Sequence, residues 1–470
     1  MQRQNYRETE LKLLAFLAAA LTPALALAQT SGEDGRLHAI YKELVETNTT
    51  HSAGDTTLAA QRMAKRLQEA GFAASELEVV EPFPRKGNLV ARLKGDGSKK
   101  PLLLLAHLDV VEAKREDWKS DPFVLREEDG YFTARGSSDD KAMAAIFVSI
   151  LGQLKREGFR PKRDLILALT ADEERGDVPS NGVSWLTRNR RELLNDAELG
   201  INEGAGGDLR RGKPYANHMQ VAEKRSMNFQ MIARNPGGHS SVPVPDNAIY
   251  ALAGALTRLA AHRFPVRVEE VAKAYFARSA GLASGQVADD MRAVGDGRAD
   301  EAVFDRLTKE NAFFNAQLRS TCVATLLAGG HAANALPQSA VATINCRLLP
   351  HDDPKAIAAD LERLAGPKVE LKQTSTPYAS PPSPLRPDVL AAVEGVTQEM
   401  WPGIPLIPTM STGATDSMFL RNLGIQMYGV SGIFFGPGDF RAHGLDERVP
   451  QASLYAGREF LYKLVKRLAD

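Results

Sequence analysis

The sequence predicts an α/β layer fold, with a mixed sheet flanked by helices, interrupted by an inserted α+β domain. Three observations predict it. Apolar runs such as Leu102–Ala106 and Asp164–Thr170 have the length and continuity of buried strands. They alternate with helical periodicity at Thr56–Ala70, Lys141–Gln153 and Ala452–Leu468, the order expected of an α/β protein. After about Val221 the order becomes β-α-β-β-α-β, the split βαβ arrangement of a ferredoxin-like unit.

At 470 residues the chain is long enough for two domains, and 43% hydrophobic with 25% charged residues is an ordinary globular composition. A formal net charge of zero gives no ground for nucleic acid or an anionic membrane as partner. The N-terminus departs from this. Arg3, Arg7 and Lys12 precede the apolar stretch Leu13–Ala28, which closes on the small-residue pattern Ala26-Leu27-Ala28. That is the three-part form of a cleavable signal peptide, and it is short for a spanning helix. Glu8 and Glu10 fit the pattern less well, and an uncleaved anchor is the competing reading. Cleavage after Ala28 leaves 55 basic against 56 acidic side chains and sends the protein to the periplasm or beyond, with no membrane attachment.

Residues 29–221 read as the first part of a catalytic domain. Glu76–Val80 and Asn88–Leu93 are strands around the turn Pro82-Phe83-Pro84. Leu102–Ala106 leads into His107-Leu108-Asp109, and an acidic loop follows from Glu112 to Gly130. Lys141–Gln153 is an amphipathic helix, Asp164–Thr170 a strand, Ser180–Leu193 a helix and Leu199–Ile201 a short strand. Residues 222–379 are the insert. It has strands at 227–234, 319–327, 340–349 and 369–374, helices at 248–260 and 354–364, and a helical excursion at 268–318 with no assigned role. Residues 380–470 resume the first domain with a helix at 387–400, a strand at 426–430 and the closing helix.

The two cysteines, Cys322 and Cys346, have their midpoint at Asn334, inside a plausible connection between two insert strands. A hairpin with that centre sets the sulfurs face to face. An exported protein permits the bond, and two free buried thiols are the alternative.

The strands end in ligand-type residues: His107 and Asp109, Glu173 and Glu174, and Glu203. Asp139 precedes the helix and His443 lies in a late loop. Ligands of open α/β sheets sit outside the carboxyl ends of the strands. Two imidazoles and several carboxylates suit zinc or a similar divalent ion, and no cysteine lies in the set. So many carboxylates share a pocket only if cations offset their repulsion. Two ions bridged by one carboxylate meet that need and supply an activated water.

Five segments occur in a fixed order: His107-Leu108-Asp109, Gly136-Ser137-Ser138-Asp139-Asp140-Lys141, Asp172-Glu173-Glu174, Asn202-Glu203-Gly204 and His443-Gly444-Leu445-Asp446-Glu447. Together they resemble the ligand motifs of the co-catalytic zinc metallopeptidases. That family includes glutamate carboxypeptidase, Gly-Xaa carboxypeptidase, succinyl-diaminopimelate desuccinylase, acetylornithine deacetylase and aminoacylase. The resemblance spans the mature chain and implies a phosphorylase/hydrolase-like catalytic domain carrying a lid through which the subunits dimerise.

It also implies roles. Asp139 bridges two zinc ions per subunit, with cobalt or manganese as substitutes. His107 and Glu203 complete one shell, Glu174 and His443 the other. Asp109 orients His107, Glu173 is the general base acting with a bridging hydroxide, and the Asp139–Asp140 peptide is often cis in this family. His239, in Gly237-Gly238-His239-Ser240, resembles the lid histidine that stabilises the oxyanion, commonly in the partner subunit's site. Asn334 and Arg347 match substrate contacts, with Arg347 gripping a free carboxylate; Gly413 and Thr415 line the pocket. Lys224 is a weaker match, equally readable as a solvated strand residue. Ala142 stands where many members carry glycine, and a small residue keeps the packing. The implied activity is cleavage of a peptide or amide bond beside a free carboxylate, by a carboxypeptidase, a dipeptidase or an N-acyl-amino-acid deacylase. A non-catalytic carboxylate-binding protein would have lost Glu173 or a ligand, and a single-domain aminopeptidase would lack the insert.

Overall fold

A ten-stranded mixed sheet frames the computed structural model, which describes residues 32–176 and 178–470. The expected signal peptide therefore lies outside the described residues. At the sheet's centre Leu102–His107 runs parallel to Leu165–Thr170 on one side and to Leu199–Asn202 on the other. Gln426–Gly429 continues the parallel set, and Asn88–Leu93 with Leu77–Val80 extends it antiparallel. Every residue of the two central strands is buried. Both faces are covered, which is why these strands read as unbroken apolar runs.

The two-residue period of a strand divides its side chains between two cores. Leu102, Leu104 and Ala106 pack with Leu37, Met63, Ile146 and Phe460 from the helices Glu33–Val45, Thr56–Glu69, Lys141–Arg156 and Gln451–Ala469. Leu103 and Leu105 pack on the other side with Val183, Leu186 and Phe419. The helix Lys141–Arg156 differs from the amphipathic expectation, being buried along nearly its whole length. It lies beneath Glu33–Val45 as well as against the sheet, and Gly152 lets it approach Ala70 at the end of Thr56–Glu69.

Residues 225–373 hold a four-stranded antiparallel sheet in the order Thr321–Gly329, Ser339–Leu348, Arg225–Arg234, Val369–Gln373. The helices Ala248–Ala261 and Pro354–Ala365 cover one face over Met227, Phe229, Met231 and Ile344. Cys322 stands opposite Cys346, and the two are disulfide-bonded. The excursion after residue 268 forms four helices, Glu270–Ser279, Gly285–Gly295, Glu301–Glu310 and Ala312–Leu318. Their apolar faces pack Tyr275, Phe276 and Phe304 around Ala216 and Ile407 of the large sheet, so the excursion buttresses that sheet. Among the described residues no helix is long and apolar enough to cross a membrane.

Candidate active site

The carboxyl ends of the parallel strands converge on one cluster. His107 ends its strand, Glu173 and Glu174 lie on a single 3-10 turn after Thr170, and Glu203 follows Asn202. Asp139 enters from the loop before the helix Lys141–Arg156, across a cis peptide to Asp140. His107 Nε2 lies 3.1 Å from Asp139 Oδ1 and 3.8 Å from Glu203 Oε1. His443 Nε2 lies 3.2 Å from Asp139 Oδ2 and 2.9 Å from Glu174 Oε2. Asp139 thus presents one oxygen to each histidine.

Two triads result, His107–Asp139–Glu203 and Asp139–Glu174–His443, each with its donor atoms within 4.8 Å of one another. Donors of a tetrahedral ion at about 2.1 Å stand roughly 3.4 Å apart, so each triad has the size of an ion's shell. Neutral imidazole and carboxylate donors without thiolate fit zinc and its neighbours.

The electrostatics point the same way. Burial pushes the Glu173 and Glu203 carboxyls well above the usual range, and surrounding acids add to it, Glu203 for Glu173 and Asp139 for Glu203. Burial would also raise Asp139, but hydrogen bonds from His107 and His443 outweigh it and hold this carboxylate low. Hydrogen bonds to Asp139 and Glu174 lift His443 to about 10. The cluster gathers negative charge that the two imidazoles alone only partly offset, and cations would complete it.

Residues around the cluster fix its geometry. Asp172, at φ 57°, turns the chain through the left-handed region so that Glu173 and Glu174 both follow the strand end. Its buried carboxylate accepts from Lys86 Nζ at 2.7 Å and from Ser180 Oγ at 2.5 Å. Asp109 differs from its expected contact. His107 Nδ1 meets the backbone oxygen of Asp109 at 3.0 Å, with the carboxylate at 3.6 Å. That carboxylate accepts the backbone N–H groups of Glu173 and Glu174, each at 3.1 Å. Its stronger hold is therefore on the turn that carries both glutamates.

Glu447 is a residue that motif reading quoted without a role. Fully buried, it accepts from Arg135 Nη1, the N–H groups of Gly136, Ser138 and Asp139, and Ser138 Oγ, at 2.7 to 3.0 Å. It ties the His443 loop to the Asp139 loop. Its only sequence signal is its place four residues after His443.

Of the remaining predicted residues, Thr415 borders the cluster, its Oγ1 accepting from Asn202 Nδ2 at 3.4 Å beside Glu203, while His239, Asn334 and Arg347 lie on or beside the smaller sheets. His239 and Asn334 are exposed and meet on a small ribbon, where Gly238–His239 pairs with Ala335–Leu336 and Ser240 N–H donates to Asn334 O. Among the described residues no hydrogen bond or ion pair links this ribbon to the cluster. Arg347 lies on the insert's sheet opposite Ser226. Gly413 N–H donates to Ser411 Oγ at 3.0 Å. Thr415 turns inward, its N–H and Oγ1 donating to buried Glu223 at 3.1 and 2.9 Å. Lys224 is fully buried, against the solvated alternative, and donates to Arg319 O at 2.8 Å.

The sequence profile of peptidase family M20/M25/M40 matches residues 103–467. The chain belongs to that family. It is a hydrolase of the peptidase type and shares the M20 fold. The human N-fatty-acyl-amino acid synthase/hydrolase PM20D1 is 27% identical over 405 residues, covering 83% of this chain and 78% of its own. A probable carboxypeptidase S-like 2 of Dictyostelium discoideum is 26% identical over 81% of this chain and 74% of its own. The M20 family metallo-carboxypeptidase Sso-CP2 from Sulfolobus solfataricus superposes with a TM-score of 0.68 at 20% identity, covering 92% of this chain and 98% of its own.

Proposed function

We propose that the protein is an exported di-zinc hydrolase that cleaves an amide bond next to a free carboxylate, as a carboxypeptidase or dipeptidase. The observation that carries the reading is Asp139, with one oxygen toward each of two histidine-carboxylate groups. His107 and Glu203 would hold one ion, Glu174 and His443 the other, with Asp139 between them. When bound, the ions supply Lewis acidity toward the scissile carbonyl and lower the pKa of water.

The chain's own residues do the rest. Glu173 projects from the turn held by Asp109, takes a proton from the attacking water on its carboxylate, and returns it to the leaving nitrogen. Arg347 grips the substrate carboxylate. His239, exposed on its ribbon, would donate to the oxyanion in a second copy's site. Dimerisation is supported by the open edge strand Thr321–Gly329, whose Val323, Leu326 and Leu327 are exposed, because an unpaired strand edge accepts a further strand. The Cys322–Cys346 bond supports an oxidising compartment and hence export.

The human relative's name favours a second reading within the same chemistry, an N-acyl-amino-acid substrate, which also carries an amide beside a carboxylate. Glu173→Gln tests the shared mechanism. It should leave metal binding intact while lowering kcat by about 10²–10⁴-fold. Retained turnover in the metal-loaded variant would remove Glu173 from the chemistry.

A further inference from the structure

On the face of the insert's sheet away from its helices, Ser226, Asn228, Asn345 and Arg347 form one polar patch. Arg347 is in register with Ser226, and Asn345 with Asn228. Directly opposed residues of an antiparallel pair share a face. The alternate positions, Met227, Phe229, Ile344, Cys346 and Leu348, belong to the core under the helices.

Asn345 Nδ2 donates to Asn228 Oδ1 at 2.7 Å and to Ser226 Oγ at 3.3 Å. Asn345 Oδ1 accepts from Arg347 Nε at 3.3 Å. With its amide hydrogens engaged on the neighbouring strand, the Asn345 carbonyl is aimed at the guanidinium. Among the described residues this is the one side-chain hydrogen bond of Arg347, and no carboxylate pairs with it. Holding Nε leaves the two terminal nitrogens as a fork for a carboxylate. The fork also has the right address. Lys224, two residues before Ser226, feels the Arg347 charge and donates its backbone N–H to Ser411 O, at the start of the loop reaching Thr415.

We propose that Asn345, itself held by Asn228 and Ser226, is a positioning residue that sets the Arg347 fork for the substrate's free carboxylate. The inference rests on the reading of Arg347 as the carboxylate anchor. A free arginine side chain loses rotamer freedom when it captures a ligand, and anchoring it beforehand removes part of that cost. Asn345→Leu keeps the bulk and frees the guanidinium. Asn345→Asp gives Arg347 an internal carboxylate that competes with the substrate.

The test is steady-state kinetics of the metal-loaded enzyme on a carboxylated substrate, with the free amino-acid product and its amide as inhibitors. Asn345→Leu should raise KM and the product's inhibition constant about tenfold, the loss of one hydrogen bond to a charged group, with kcat within about twofold. Asn345→Asp should raise both further, and inhibition by the amide should stay unchanged in either variant. Asn228→Leu, which removes the support of Asn345, should shift KM in the same direction and serves if the first variant does not fold. Arg347→Gln separates the two levels. If it abolishes the preference for carboxylate while Asn345→Leu and Asn228→Leu leave KM unchanged, the positioning role is overturned and the anchor stands. If Arg347→Gln keeps the preference, both are overturned.

Discussion

Replacing Glu447 with alanine tests how the Asp139 loop is held. The substitution removes the one carboxylate that binds Arg135 among the described residues, with Arg135 itself only 2% exposed, and it strips the acceptor from the N–H groups of Gly136, Ser138 and Asp139. Breaking a buried ion pair from one side costs about 3–5 kcal/mol, because the remaining charge is left uncompensated. Arg135 Nη2 also donates to Gly444 O at 2.9 Å, so the His443 loop loosens together with the Asp139 loop. Loss of such supporting contacts lowers metal affinity by about 10–100-fold. Urea unfolding of the metal-free protein reads the first effect, and chelator competition reads the second. The double variant Arg135→Met, Glu447→Met separates them. It should recover the part of the stability lost to the orphaned charge, yet leave the loop N–H groups unpaired and the affinity low. A loss below about 1 kcal/mol in Glu447→Ala, or a double variant with full metal affinity, would refute the latch.

Burial holds the Lys224 ammonium at about 7, whereas in the unfolded chain it titrates near 10.4. Between those values the unfolded chain binds more protons, so this group makes stability rise with pH by up to about 1.4 kcal/mol per unit. Lys224→Met should remove that part of the slope, measured by denaturant unfolding from about pH 7.5 to 9.5, and an unchanged slope would contradict the lowered pKa. Opening the Cys322–Cys346 bond, which closes a loop with a sequence separation of 24, should cost about 3.5 kcal/mol by chain entropy. Calorimetry of the Cys322→Ala, Cys346→Ala variant checks this, with metal binding at the large sheet expected to stay intact.

The catalytic frame was legible because both faces of the central strands are covered, which leaves unbroken apolar runs that end abruptly in His107, Glu173 and Glu203. The β-α-β-β-α-β succession within residues 225–373 followed from the switch to alternating strands, and the midpoint of the two cysteines set Cys322 opposite Cys346. Residues that act through non-local contacts were not legible. Glu447 looks like a solvated acid in sequence, and only the fold brings it under the Asp139 loop. Glu223, Lys224 and Asn345 sit in or between strand segments whose polarity reads as surface, whereas Glu223 and Lys224 are fully buried. The excursion after residue 268 was recognisable as helical but not by destination, since its partners Ala216 and Ile407 are apolar and carry no signal of what covers them. Asp109 shows the limit of motif transfer. Its main carboxylate contacts are two backbone N–H groups that no motif displays.

The most direct test of the account is hydrolysis of a small panel by the purified protein, before and after chelation and after zinc is restored. The panel holds dipeptides, N-acyl-amino acids and their C-terminally amidated counterparts. The account predicts turnover that chelation abolishes and zinc restores, confined to members with a free carboxylate. Equal turnover of the amidated members, or full activity in the chelated protein, would contradict it.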